Sequence, residues 1–141
     1  MIEKMSIAKK VFSLTVIFSL LLLNSVANAN EIYAGTEKGR GGRPDCDYYV
    51  ISETVREAAD PQNLKLGFHD IYVQTNTYVN GKFDRRSQWR FYNSRKVWYL
   101  TLDGVGDEYD WTVEKFGYPI TEVLRQSYKV IYGEIPSWLF P

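Results

Sequence analysis

Residues 67–102 read GFHDIYVQTNTYVNGKFDRRSQWRFYNSRKVWYLTL. The β-branched and aromatic residues that crowd this stretch favour strand. Asn80-Gly81 at its centre is the strongest short hairpin signal a sequence offers, because both residues accept positive φ. It joins a strand over 68–79 to one over 82–92. A second turn near Ser94-Arg95 leads into a third strand over 96–102, and Asp103-Gly104 predicts a turn to a fourth around 109–113. The reading is an antiparallel meander.

The turns set the expected register. Across Asn80-Gly81, Tyr78 is expected opposite Phe83 and Tyr72 opposite Trp89. Across the second turn, Phe91 is expected opposite Trp98 and Trp89 opposite Leu100. These side chains and Leu102 then share one core face. The other face carries Ile71, Val73, Val79, Val97 and Tyr99 beside Lys82, Arg86 and Arg90. So many aliphatics predict that another element partly covers it or that it is a contact surface.

Outward from the meander, residues 30–33 suit a short strand. Residues 35–44 (GTEKGRGGRP) read as a glycine-rich basic loop. Its Arg40-Gly41-Gly42-Arg43 has the groups to grip an anion, although the P-loop spacing is missing. Residues 48–60 (YYVISETVREAAD) space Val50, Ile51, Val55 and Ala58 at three- and four-residue intervals, which predicts a helix ended by Asp60-Pro61. Residues 119–132 (PITEVLRQSYKVIY) predict an amphipathic helix stopped by Gly133, with a strand at 128–132 as a variant of its last turns. The tail ends in PSWLFP and is apolar enough to dock on the body or bind a partner.

Ahead of all this lies a charged start (Lys4, Lys9, Lys10), a 13-residue apolar run over 11–23 and the small-residue pattern Ala27-x-Ala29. Those are the three parts of a secretory signal peptide, with cleavage expected after Ala29. The alternative is a retained anchor, but the run is shorter than the roughly 20 residues that span a bilayer. The expectation is a secreted or periplasmic protein, residues 30–141 forming one domain that no longer touches a membrane.

Charge and cysteine content narrow the classes. The chain has 17 basic and 17 acidic residues; without Lys4, Lys9, Lys10 and Glu3 the remainder is slightly acidic. That balance argues against generic nucleic-acid binding, which uses a strong positive excess. The single Cys46 supports no internal disulfide, so packing holds the core. It reads as a small buried apolar residue, with an intermolecular disulfide or a reactive thiol as the other readings.

Charge is also segregated. Residues 82–96 are strongly basic and residues 103–114 strongly acidic. Cross-strand pairing would neutralise the two; otherwise they form a bipolar surface that steers a charged partner. The acidic stretch also has oxygen ligands for calcium, without the EF-hand spacing. No metal site and no cofactor are expected. The lone His69 invites an acid or base role, but Asp70 beside it should point to the other face, leaving His69 with Ile71 and Val73. A ribonuclease-like arrangement would draw on Glu53 or Glu57, His69, Arg86 and Arg90. Aromatics beside Arg86 and Arg90 also suit stacking on single-stranded nucleic acid or sugars. There is no serine-nucleophile elbow, HExxH, CxxC pair or dinucleotide fingerprint.

The sequence therefore predicts an α+β fold: a meander of about four or five strands with one or two helices on its aromatic face, or else a small all-β barrel if residues 48–60 turn out to be strand. The functional expectation is a non-enzymatic binding protein of the inhibitor or immunity kind. Its partner would be another protein, met through Arg86, Arg90, Tyr99 and Trp138. A small hydrolase using His69 is the alternative.

Overall fold

The hairpin at Asn80-Gly81 is present in the computed structural model, which describes residues 30–107 and 110–140. Both turn residues take positive φ, 52° and 75°. They join β4 (Asp70–Val79) to β5 (Lys82–Ser94), and Arg95-Lys96 then joins β5 to β6 (Val97–Leu102). Upstream lie β1 (Glu31–Glu37), β2 (Cys46–Ile51), the two-residue β3 (Arg56–Glu57) and a short helix α1 (Pro61–Lys65). Downstream are α2 (Val113–Phe116) and α3 (Ile120–Tyr132). The sheet is antiparallel and open, in the order β1-β2-β4-β5-β6, with β3 also paired to β4. The fold is α+β. The signal-peptide reading falls on residues 1–29, outside the described residues.

Register departs from expectation in both hairpins. Tyr78 faces Phe83, as the turn requires, but Thr77 faces Arg85, so Asp84 is an extra residue on β5. One bulged residue changes the facing of everything beyond it. Trp89 therefore opposes Val73 and not Tyr72, and Phe91 opposes Ile71. Tyr72, Tyr78 and Phe83 leave the expected core face, and Ile71 and Val73 enter it, both fully buried. Across the second turn Phe91 pairs with Leu100 and Asn93 with Trp98. That is two residues from the expected pairing, which preserves the faces.

Residues 48–60 are not helix. β2 pairs with one half of β4 and β3 with the other, and a 3-10 turn at Ser52–Thr54 links them. The helical spacing came from a strand, a turn and a second strand read as one period. Strand here does not produce a barrel. β1 and β6 stay at opposite edges, and Tyr99 of β6 bridges to Thr112 instead. That bridge is what the described residues show of the expected fourth strand, whose last residue, Val113, already begins α2.

α3 follows Tyr118-Pro119 and stays helical through Tyr132, ending at Gly133 with φ 84°. Its Val123 and Leu124, with Ile120 and Val113, pack on Val50, Val73, Phe91 and Leu100. Burying each large side chain contributes roughly 1.5–3 kcal/mol. Leu139 of the tail is buried in the same cluster, whereas Trp138 is 60% exposed. Among the described residues no helix is long and apolar enough to cross a membrane.

Candidate functional site

With the helices on one side, the sheet presents its other side to solvent. The bulge at Asp84 decides what stands there. Past it, β4 directs Asp70, Tyr72, Gln74 and the buried Asn76 to this side, and β5 directs their partners Tyr92, Arg90, Gln88 and Arg86.

At the end near β6 these side chains form a ladder across four strands. Arg56 of β3 lies 4.3 Å over the Tyr72 ring. Arg90 lies 5.7 Å from the same ring and 4.8 Å from that of Tyr92. Tyr92 stacks on Tyr99 of β6, with centroids 5.5 Å apart. Asp70 fixes Arg90 through two hydrogen bonds, accepting from Nε at 2.8 Å and from an Nη at 3.0 Å. Those bonds raise the guanidinium pKa further, against the opposing effect of burial. Fixed guanidiniums on tyrosine faces gain about 0.5–1 kcal/mol each at exposed sites, and their rotamers are settled before any partner arrives.

The opposite end of the same face has a second aromatic row. Tyr33, Tyr49, Tyr78 and Phe83 meet edge to face, with centroids 5.3–6.0 Å apart. Glu31 accepts from the Tyr78 hydroxyl at 2.8 Å and from the Asn76 amide, while Arg86 Nε donates to Asn76 at 2.9 Å. Burial and the Glu31 bond push the Tyr78 hydroxyl pKa up. Tyr33 and Phe83 remain 52% and 57% exposed.

Of the residues singled out in the sequence, Arg90 and Tyr99 thus stand together, joined by Tyr92. Arg86 lies on the same face, several residues along β5, in the Glu31–Asn76 cluster. Trp138 is elsewhere, edge-on to Tyr128 of α3. Tyr72 was missed because an unbulged register sends it into the core, and Arg56 because the spacing over 48–60 predicts a helix; Tyr92, two residues from Arg90 on the same strand, is legible from alternation.

His69 sits on the helix side with Ile71, as the alternation predicts. Its Nδ1 donates to Glu57 Oε1 at 2.5 Å, since a carboxylate only accepts. The Tyr132 hydroxyl donates to the same oxygen at 2.7 Å, and the Asp70 backbone N–H to Oε2 at 2.8 Å. Trp98, Tyr128 and Tyr132 surround the imidazole. Burial, then the bond to Glu57, pushes the Tyr132 hydroxyl well above its ordinary range. Among the described residues Nε2 of His69 has no hydrogen-bond partner. Arg90, with Asp70, is on the other side of the sheet. Of the ribonuclease-like arrangement, Glu57 and His69 meet, but Arg86 and Arg90 do not join them.

Arg90, Asp103 and Asp110 do not join the two charged segments through an ion pair. Arg90 uses Asp70, Asp110 uses Lys115, and Asp103 accepts from the Gln88 backbone N–H. Nor do the described residues include a group of three or more His, Cys, Asp or Glu placed to hold a metal ion; Glu108 of the acidic stretch lies outside them. Cys46 is a partly buried free thiol whose pKa burial pushes up, the opposite of activation. No protein-family model, curated protein or solved structure matches the chain.

Proposed function

We propose that this chain is an exported, non-enzymatic binding protein of the inhibitor or immunity kind, which takes a protein partner on the uncovered face of its sheet. The observation that carries this reading is the ladder from Arg56 through Tyr72, Arg90 and Tyr92 to Tyr99. Tyrosine and arginine are the residues enriched where protein interfaces concentrate their energy. Here they are held in place by each other and by Asp70, so little side-chain entropy remains to be lost on association. Five neighbouring strands make a face about 20 Å wide, about 20 Å long at its edges and about 30 Å long along β4 and β5. That is the scale of the roughly 800 Å² a standard interface covers on each partner. Lys82, Arg95 and Lys96, without ion-pair partners among the described residues, would speed the approach of an acidic partner.

The test is to immobilise the purified protein and compare what it retains from the extracellular or periplasmic fraction with what Arg90→Ala and Tyr99→Ala variants retain. A specific protein held at low salt, weakened by high salt and lost from both variants supports the reading. Equal retention by all three, or none at low salt, refutes it.

The Glu57–His69 hydrogen bond favours a second reading. Glu57 orients the imidazole and leaves Nε2 free, the arrangement of a general base. That reading is a small ribonuclease-like hydrolase. It requires RNA cleavage by the parent that His69→Ala abolishes; a parent inert on RNA, or a fully active variant, removes it.

A further inference from the structure

We propose that the cleft beside the β1–β2 loop binds a small ligand in which an anionic group is joined to a flat ring, the chemistry shared by nucleotides and aromatic carboxylates. This site lies apart from the Arg90–Tyr99 ladder and does not depend on it. The cleft measures about 1380 Å³ and is open to solvent, ample beside the roughly 300–1,000 Å³ of ordinary ligand pockets.

Its cationic wall is a constructed loop. Asp45 accepts from the Gly39 backbone N–H and from Lys38 Nζ, both at 2.9 Å. These bonds hold the Asp45 carboxyl below its usual range and commit Lys38 to it. A side chain on Gly39 would collide with the carbonyl oxygen of Arg43, so the loop folds back on itself only with glycine there. The Arg43 N–H donates to the Arg40 carbonyl at 3.3 Å, and Gly41 and Gly42 take positive φ between them. The tie leaves Arg40 and Arg43, both exposed, with no side-chain partner among the described residues. Two uncommitted guanidiniums three residues apart suit a phosphate or carboxylate, which they bind through paired N–H donors.

Its aromatic wall is Tyr33, Phe116 and Tyr118, which are 52%, 39% and 63% exposed. Tyr118 is not a loose surface side chain: it lies against Gly35 and accepts from the Thr36 backbone N–H at 3.3 Å. Rings fixed in water around one cleft offer stacking surface, worth about 1–3 kcal/mol per stacked base in other proteins. The strand-side lining adds polarity. Glu37 already accepts from the Tyr48 hydroxyl, while the side chain of Asp84, the bulged residue, has no hydrogen-bond partner among the described residues. Asp84 repels an anion and accepts from a donor. The ligand's anionic group therefore belongs at Arg40 and Arg43, with a ring N–H or hydroxyl toward Asp84.

The test titrates the protein with AMP, benzoate, adenosine and inorganic phosphate at millimolar concentrations, following amide NMR shifts. The expected result is saturable shifts in residues 35–46 and 116–118 with AMP or benzoate. Adenosine and phosphate, each carrying half of the chemistry, should bind about tenfold more weakly or worse. AMP binding alone assigns a nucleotide-type ligand, and benzoate binding alone an aromatic carboxylate. An R40A/R43A double variant, altered only at exposed loop positions, should weaken binding by about tenfold or more. A Phe116→Ala variant should weaken AMP or benzoate but not phosphate. Absence of shifts with both AMP and benzoate, equal binding of phosphate alone, or unchanged affinity in R40A/R43A overturns the proposal. None of these outcomes bears on Arg90 or Tyr99, so this test and that of the protein-binding face fail independently.

Discussion

Glu57 accepts three hydrogen bonds with one carboxylate. Its two oxygens accept from His69 and the adjacent Asp70 backbone and from the distant Tyr132, tying β3 to the start of β4 and to the end of α3. In Glu57→Ala those donors lose their acceptor in a largely buried place. Leaving buried donors unsatisfied costs about 1–3 kcal/mol, so a loss of about 2–3 kcal/mol is expected in urea denaturation, with Tyr132→Phe losing less. Tyr48 makes the pH prediction. Burial, ahead of the neighbouring Glu37, pushes its hydroxyl from 10.0 to about 12. The folded state then holds a proton that the unfolded chain releases, so this stability is whole below pH 10 and disappears between pH 10 and about 12. Denaturation midpoints across that window should fall for the parent and fall less for Tyr48→Phe.

The elements differ in how openly their sequences announce them. Asn80-Gly81, the meander over 67–102 and the α3 helix were legible because turn chemistry and period are local signals. Residues 48–60 were not. Val50, Ile51, Val55 and Ala58 look helical only because a 3-10 turn at Ser52–Thr54 interrupts strand alternation. The bulge was equally hidden: nothing about Asp84 distinguishes it from a regular strand residue, yet it decides which tyrosines face water. Arg90 and Tyr99 could be named from composition and alternation, but their partners Tyr72 and Arg56 required the bulge and β3. The bulge makes its own prediction. Deleting Asp84 places Phe83 and Arg85 in direct succession opposite Tyr78 and Thr77, leaving every later pair unchanged. The deletion should retain the parent's Trp89 fluorescence maximum. Inserting one residue after Gln88 instead turns Trp89 and Phe91 outward, and should red-shift that maximum and unfold the protein.

At the scale of the whole molecule, the sheet separates two duties. One side, with α2, α3 and Leu139, holds the protein together through Phe91, Leu100, Val123 and Leu124. The other is free to carry Arg56, Tyr72, Arg90 and Tyr99 without structural penalty. On the proposed binding face, Arg56→Ala should keep stability within about 0.5 kcal/mol, the usual range for exposed positions, while Tyr72→Ala, which gives up two guanidinium contacts, should cost about 1–2 kcal/mol in urea denaturation. Fold class was recoverable from the sequence because it follows from the meander. The distribution of side chains between the two sides was not, since it turns on a single unpaired residue.

The strand arrangement also sets an order in time. β4, β5 and β6 are consecutive and joined by two-residue turns, so their pairing closes the smallest loops in the chain. β2 reaches β4 only across residues 52–69, and α3 must return to β1 and β2 from the far end of the sequence. Short-range pairing forms faster than long-range pairing, so the β4–β6 meander should be the part that assembles first and opens last. In native-state hydrogen exchange the amides of Val73 and Phe91 should persist longest, and those of β1 should exchange well before global unfolding.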